Sequence, residues 1–185
     1  LDHQVTVLDR HPQPAGGSSG NPAGLFHATV HADDGPHAQL FRAAALHTAR
    51  LLDRLDAERV PHGRTGLLRL EQDIDLAAMQ ARIDRLRLPA DFVQALDAAA
   101  ASRHAGVTLA TPAWFYPAGG WVSPAALVRE RLAHTSIRFV GGCTVQALRR
   151  AGAEWQVLDA DGRVLASAPQ LVLANAEQVH ALLGS

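Results

Sequence analysis

Apolar residues along the chain follow two rhythms. Val5-Thr6-Val7-Leu8 and Leu171-Val172-Leu173-Ala174 are short continuous runs. Such runs suit strands covered on both faces. Leu40, Phe41, Ala44, Leu51, Leu52 and Leu55 recur instead at helical spacing. They predict one long helix over 36–56, opened by Asp34 or Gly35 with Pro36 in its first turn. Pro61 and Gly63 break that pattern, and Gly66–Leu70 reads as a strand. Further helices are expected over 74–86, with Asp73 as cap, and over 89–99, opened by Pro89.

The second half alternates more quickly. Ala113–Val122 holds Trp114, Phe115, Tyr116 and Trp121 around Pro117 and Gly119-Gly120. Aromatic runs about a glycine turn predict a hairpin of an antiparallel sheet. Ser123-Pro124 is a helix start, with hydroxyl cap and Pro at the first position, for a helix to about His134. Strands are expected at 137–140 and 143–148. A hairpin is expected over 154–166 about Asp161-Gly162, and a short helix after Asn175. The fold class is therefore mixed α/β: part of a nucleotide-binding layer with an antiparallel, substrate-covering layer inserted.

With 48% apolar and 19% charged residues, the 185-residue chain is globular and can bury a sizeable core. Its net charge is -1 and its basic residues form no block, so no nucleic-acid footprint is visible. All 17 basic residues are Arg. Without Lys there is no Walker A lysine, Schiff-base lysine or lysine base. The single Cys143 excludes an internal disulfide and a cysteine-only zinc cluster, which fits a reducing cytoplasm. No apolar run reaches the roughly 18 residues of a membrane span.

The chemistry concentrates in Val5–Phe26, VTVLDRHPQPAGGSSGNPAGLF. Asp9 closes the first strand, where a dinucleotide-binding fold places the acid that takes ribose hydroxyls. Ser18, Ser19, Gly20, Asn21 and Gly24 then form a flexible polar loop. The glycine turn that precedes such an acid by about 20 residues is missing. The chain is therefore expected to be a piece of a longer nucleotide-binding protein, starting between the first two strands of its sheet.

VTVLDR, GGSSGNPAGLF, YPAGGWVSPAALVRERL, IRF, TVQAL and DGRVLASAPQLVLAN, in that order, resemble the D-amino-acid-oxidase-like FAD oxidoreductases. Within them, GSSGNPAGLF and YPAGGWVSP look most like the FAD oxidase domain of bifunctional enzymes that modify the tRNA wobble uridine. The resemblance implies a partial glutathione-reductase-like FAD-binding domain from 1–35 and 123–185, carrying an antiparallel hairpin at 144–166. It implies a substrate or cap domain over 36–122. It also implies FAD as cofactor and oxidative removal of the carboxymethyl group from a carboxymethylaminomethyl uridine in tRNA. A fused methyltransferase domain would lie outside this chain, and the setting would be cytoplasmic.

By the same resemblance, Asp9 matches the ribose acid. Ser18, Ser19, Gly20, Asn21 and Gly24 match the loop near pyrophosphate and flavin. Thr144 and Val145 match the segment facing adenine, and Ala174 and Asn175 the last cofactor-side turn. That turn usually has Gly where this chain has Ala176. Tyr116, Gly120 and Trp121 fall toward the substrate.

Other readings stand beside this one. Gly16-x-Ser18-x-Gly20 has nucleophile-elbow spacing, but His11-Pro12-Gln13-Pro14 precedes it where a strand is required. His27 and His31 have metal-face spacing but no acidic third ligand. The aromatics of 113–122 suit a sheet core better than a base-stacking platform. Arg64 and Arg69 border one strand, and an arginine there can grip a substrate carboxylate in a fork; a surface role is the plainer reading. The alternatives for function are oxidation of a free small amine (glycine, sarcosine or a D-amino acid) and a truncated, non-catalytic module.

Overall fold

The computed structural model describes residues 3–183. In chain order the elements are β1 (Val5–Leu8), β2 (Gly24–Phe26), α1 (Pro36–Leu52), β3 (His62–Gly63), β4 (Leu67–Leu70) and α2 (Leu76–Leu86). There follow β5 (Gln94–Leu96), α3 (Ala98–Ala105), β6 (Ala113–Tyr116), β7 (Gly120–Val122) and α4 (Pro124–Leu132). The chain ends with β8 (Ile137–Val140), β9 (Ala147–Ala151), β10 (Glu154–Leu158), β11 (Val164–Ala168) and α5 (Val179–Leu183). Two compact units result. One joins the chain up to Asn21 with Leu127 onward, and the other is Pro22–Ala126.

In the first unit, β1 pairs in parallel with β8, Val5 opposite Ile137 through Leu8 opposite Val140. A three-stranded antiparallel meander, β11-β10-β9, stands beside this pair in the chain. It is wider than the expected hairpin. The strand anticipated over 143–148 begins only at Ala147, because Cys143 donates its N–H to the Asp9 carbonyl at 2.8 Å instead of joining the meander. The strand anticipated at 170–174 pairs with no other among the described residues, and Val172 is 85% exposed. An apolar run has strand composition, but only a hydrogen-bonded neighbour makes it a strand.

In the second unit, β4-β6-β5 and β2-β7-β3 are separate antiparallel sheets. Trp114 and Tyr116 of β6 pack with Met79 and Ile83 of α2, Val93, Ala28 and Val30 in its core. The expected 113–122 hairpin is not formed. β6 and β7 belong to different sheets, and Tyr116–Gly120 is a bend carrying the chain between them. Gly120 makes that crossing possible: a Cβ there would run into the Gly63 carbonyl, so only glycine lets β3 approach β7.

Helix ends obey side-chain chemistry with small shifts. The α2 cap is Asp75, whose carboxylate accepts from Ala78 N–H at 2.8 Å, not Asp73. The helix expected over 89–99 is replaced by a turn after Pro89, β5 and α3. Asp97 caps α3 by accepting from Ala100 N–H at 2.6 Å. Edge pairing of Gln94–Leu96 with β6 overrides helix propensity there. The first long helix stops at Leu52, four residues early. Asp34 sits beside its start with φ 48°, its carboxylate held by both Arg42 guanidinium nitrogens at 2.7 and 3.1 Å.

Candidate functional site

The first unit gathers its polar groups at the carboxyl ends of β1 and β8, where open parallel sheets bind ligands. Asp9 follows β1, its N–H donating to the Val140 carbonyl at 3.1 Å. One carboxylate oxygen accepts from His11 N–H at 2.9 Å, which fixes the side chain in a tight turn and leaves its other oxygen for a ligand. The Asp9 carbonyl ties down Cys143, and Gln146 N–H donates to the Leu158 carbonyl at 2.8 Å. Thr144 and Val145 lie between these two anchors, and their main chain takes no backbone partner among the described residues. Exposed main-chain groups held beside an acid form the donor and acceptor set that an adenosine half requires. The residues present fit that part of FAD.

The rest of the predicted set is divided. Ser18–Gly20 is an exposed helical turn, and the Asn21 amide is already spent on the Ser18 carbonyl at 2.9 Å. A Cβ on Gly20 would lie 2.8 Å from the Ala15 carbonyl, so this glycine serves the loop's own packing. Gly24 belongs to β2 in the second unit, close to Pro124. Ala174 and Asn175 follow the unpaired 170–174 segment. The Asn175 Oδ1 is buried and makes no hydrogen bond. The next residue, Ala176, has φ 50°. That left-handed conformation is one that glycine adopts without cost.

The substrate-side residues all lie in the second unit. Tyr116 is 2% exposed, and its hydroxyl is buried without a hydrogen-bond partner. Desolvation pushes its pKa up to about 12, against the opposing Arg69 charge. The His27 ring stands 5.1 Å from the tyrosine ring. Gly120 and Trp121 are half of the β2–β7 and β3–β7 ladders, with Trp121 opposite both Leu25 and Gly63. The Arg64 guanidinium forms an ion pair with the Asp53 carboxylate. His27 and His31 build no metal site: among the described residues, no group of three or more His, Cys, Asp or Glu side chains has metal-binding geometry.

Two groups escaped the sequence reading. Glu71 is only 8% exposed and accepts from the Trp114 indole and from Gln72 and Asp73 N–H. Arg69 lies on the same face of the β4–β6 ladder as Tyr116. Their partners sit more than 40 positions away, and no local pattern encodes such a register.

The family model for FAD dependent oxidoreductases of the DAO type matches residues 1–184. The chain belongs to the FAD dependent oxidoreductase family. It is 44% identical over 183 residues to the tRNA 5-methylaminomethyl-2-thiouridine biosynthesis bifunctional protein MnmC of Methylibium petroleiphilum, covering 98% of this chain and 28% of that protein. It is 40% identical over 185 residues to the protein of the same name from Cupriavidus metallidurans, covering 97% and 27%. The chain thus spans little more than a quarter of these relatives' length. The glycine oxidase of Geobacillus kaustophilus has the same fold at a TM-score of 0.74 and 19% identity, over 99% of this chain and 51% of that one. Membership makes this an FAD-dependent oxidoreductase sequence with the mixed α/β architecture of the amino acid oxidases. No helix among the described residues is long and apolar enough to cross a membrane.

Proposed function

We propose that this chain is part of an FAD-dependent amine oxidoreductase that removes the carboxymethyl group from 5-carboxymethylaminomethyl(-2-thio)uridine at the tRNA wobble position. The observation that carries this reading is the 44% identity, over 98% of the chain, to a bifunctional protein named for biosynthesis of 5-methylaminomethyl-2-thiouridine in tRNA. The partner is then tRNA, the setting the cytoplasm, and the relatives' second activity is assigned to a methyltransferase domain outside these residues.

Bound FAD supplies the two-electron acceptor for oxidation of the carbon next to the amine nitrogen, after which water releases glyoxylate and leaves the aminomethyl uridine. The residues of this chain bind and orient. Asp9 receives ribose hydroxyls, the main chain of Thr144 and Val145 meets adenine, and Asn175 offers its unpartnered amide oxygen. Ser18, Ser19, Gly20, Asn21 and Gly24 are assigned to the pyrophosphate and flavin side, and Tyr116, Gly120 and Trp121 to the substrate side. The reaction calls for no lysine, and the chain has none.

The deciding experiment uses the full-length protein purified without added cofactor. A flavin absorption spectrum that bleaches on adding tRNA bearing the carboxymethylaminomethyl group, and not on adding glycine, is the expected result. Bleaching by glycine or sarcosine alone would replace the tRNA reading with oxidation of a free amine. A colourless protein that also fails to take up FAD would sink both.

A further inference from the structure

We propose that Arg69 grips the carboxylate of the substrate's carboxymethylamino group and that Tyr116 positions the Arg69 guanidinium. The inference rests on the amine-oxidoreductase reading above. It separates two arginines that border the same strand. Arg64 is tied to Asp53, so its fork is occupied. Arg69 is exposed and has no ion-pair partner among the described residues.

The β4–β6 register sets Arg69 opposite Trp114 and Leu67 opposite Tyr116. Residues opposite each other share a face, and so do positions two apart along a strand. Arg69 and Tyr116 are therefore diagonal neighbours on one face, within reach of two long side chains. The tyrosine hydroxyl is buried and unpartnered, and Arg69 is the cation acting on it. Glu71, next along that face, does not compete, because one oxygen takes the Trp114 indole and the other takes two backbone N–H groups. One guanidinium N–H can thus be given to the Tyr116 oxygen while the outer edge stays open. A planar fork with two parallel N–H donors matches a carboxylate. The ligand class is an N-carboxymethyl amine.

The test measures the full-length protein, wild type, Arg69→Gln and Tyr116→Phe, with tRNA carrying the carboxymethylaminomethyl group. It also measures binding of tRNA carrying the aminomethyl group, which lacks the carboxylate. Loss of a charged hydrogen bond corresponds to about 10- to 150-fold in affinity. Arg69→Gln is expected to raise KM by at least about tenfold, with kcat much less affected and binding of the aminomethyl tRNA unchanged. Tyr116→Phe is expected to raise KM in the same direction by a smaller factor. Arg69→Lys, which keeps charge without the fork, is expected to recover only part of the loss. An Arg69→Gln protein with wild-type KM overturns the inference and leaves the function standing. An equal loss for both tRNAs also overturns it, because the role would then be structural. A wild-type protein that does not turn over the carboxymethylaminomethyl tRNA overturns the function itself, and this inference with it.

Discussion

The indole Nε1 of Trp114 donates to the Glu71 carboxylate at 2.7 Å, joining the centre of β6 to the end of β4 inside the second unit. Trp114 is fully buried and Glu71 nearly so. Burial alone raises the Glu71 pKa, but the indole, the Asp73 and Gln72 N–H groups and the Arg69 charge together hold it below its ordinary 4.5. Glu71→Gln keeps the shape but offers N–H where the structure needs an acceptor. It is expected to lose roughly 1–3 kcal/mol of stability at neutral pH, measured by denaturant unfolding. A folded-state pKa that is lowered gives stability present above the unfolded value and lost as pH falls through the folded one. The gap between wild type and Glu71→Gln should therefore narrow below about pH 4.5. A gap independent of pH would show that the carboxylate charge plays no part.

Tyr116 is the only tyrosine in the chain, so its ionisation can be followed alone by ultraviolet absorbance. Midpoint absorbance is expected near pH 12 while the protein is folded. The raised pKa means that stability falls as pH rises from about 10 toward 12, since the unfolded chain releases this proton first. A midpoint at about 10 in the folded protein would contradict the burial of the hydroxyl.

Ala176 occupies a left-handed conformation, φ 50°, that costs an L-residue roughly 1–2 kcal/mol. Ala176→Gly relieves that strain but adds unfolded-state entropy, so a net gain of about 0.5–1 kcal/mol in unfolding free energy is expected. A loss of stability would mean that the turn is not held as described.

Gly120→Ala drives a methyl group into the Gly63 carbonyl between β3 and β7. Backbone cannot rotate away as a side chain can, so the cost should reach or exceed the roughly 1–3 kcal/mol of ordinary overpacking. Limited proteolysis should then open the β2-β7-β3 sheet first. An unchanged cleavage pattern and melting temperature would refute the close approach.

Asp9→Asn keeps an acceptor for His11 N–H but removes the charge and one strong acceptor offered to ribose. FAD affinity of the full-length protein, read by flavin fluorescence, is expected to fall by roughly 1.5–3 kcal/mol. Wild-type affinity would withdraw Asp9 from the cofactor site.

Local chemistry was legible wherever it was self-contained. β1, β4, β8 and the β10–β11 turn at Asp161-Gly162 follow from short-range pattern, and Ser123 with Pro124 opens α4 as its residue types dictate. The left-handed turn at Ala176 lies where the family pattern usually has glycine. The loop residues of 18–21 were found as a loop but not as one that satisfies its own hydrogen bonds.

By itself, the sequence determined the mixed α/β class, the family motifs, the acid after β1 and a reaction that needs no lysine. Tertiary structure alone decided which runs became strands, that 113–122 crosses between sheets, and that Arg64 is spent while Arg69 stands beside Tyr116. The reason is physical. Periodicity and capping act over a few residues, whereas ladder partners, buried hydroxyls and ion pairs depend on a register set between segments tens of residues apart.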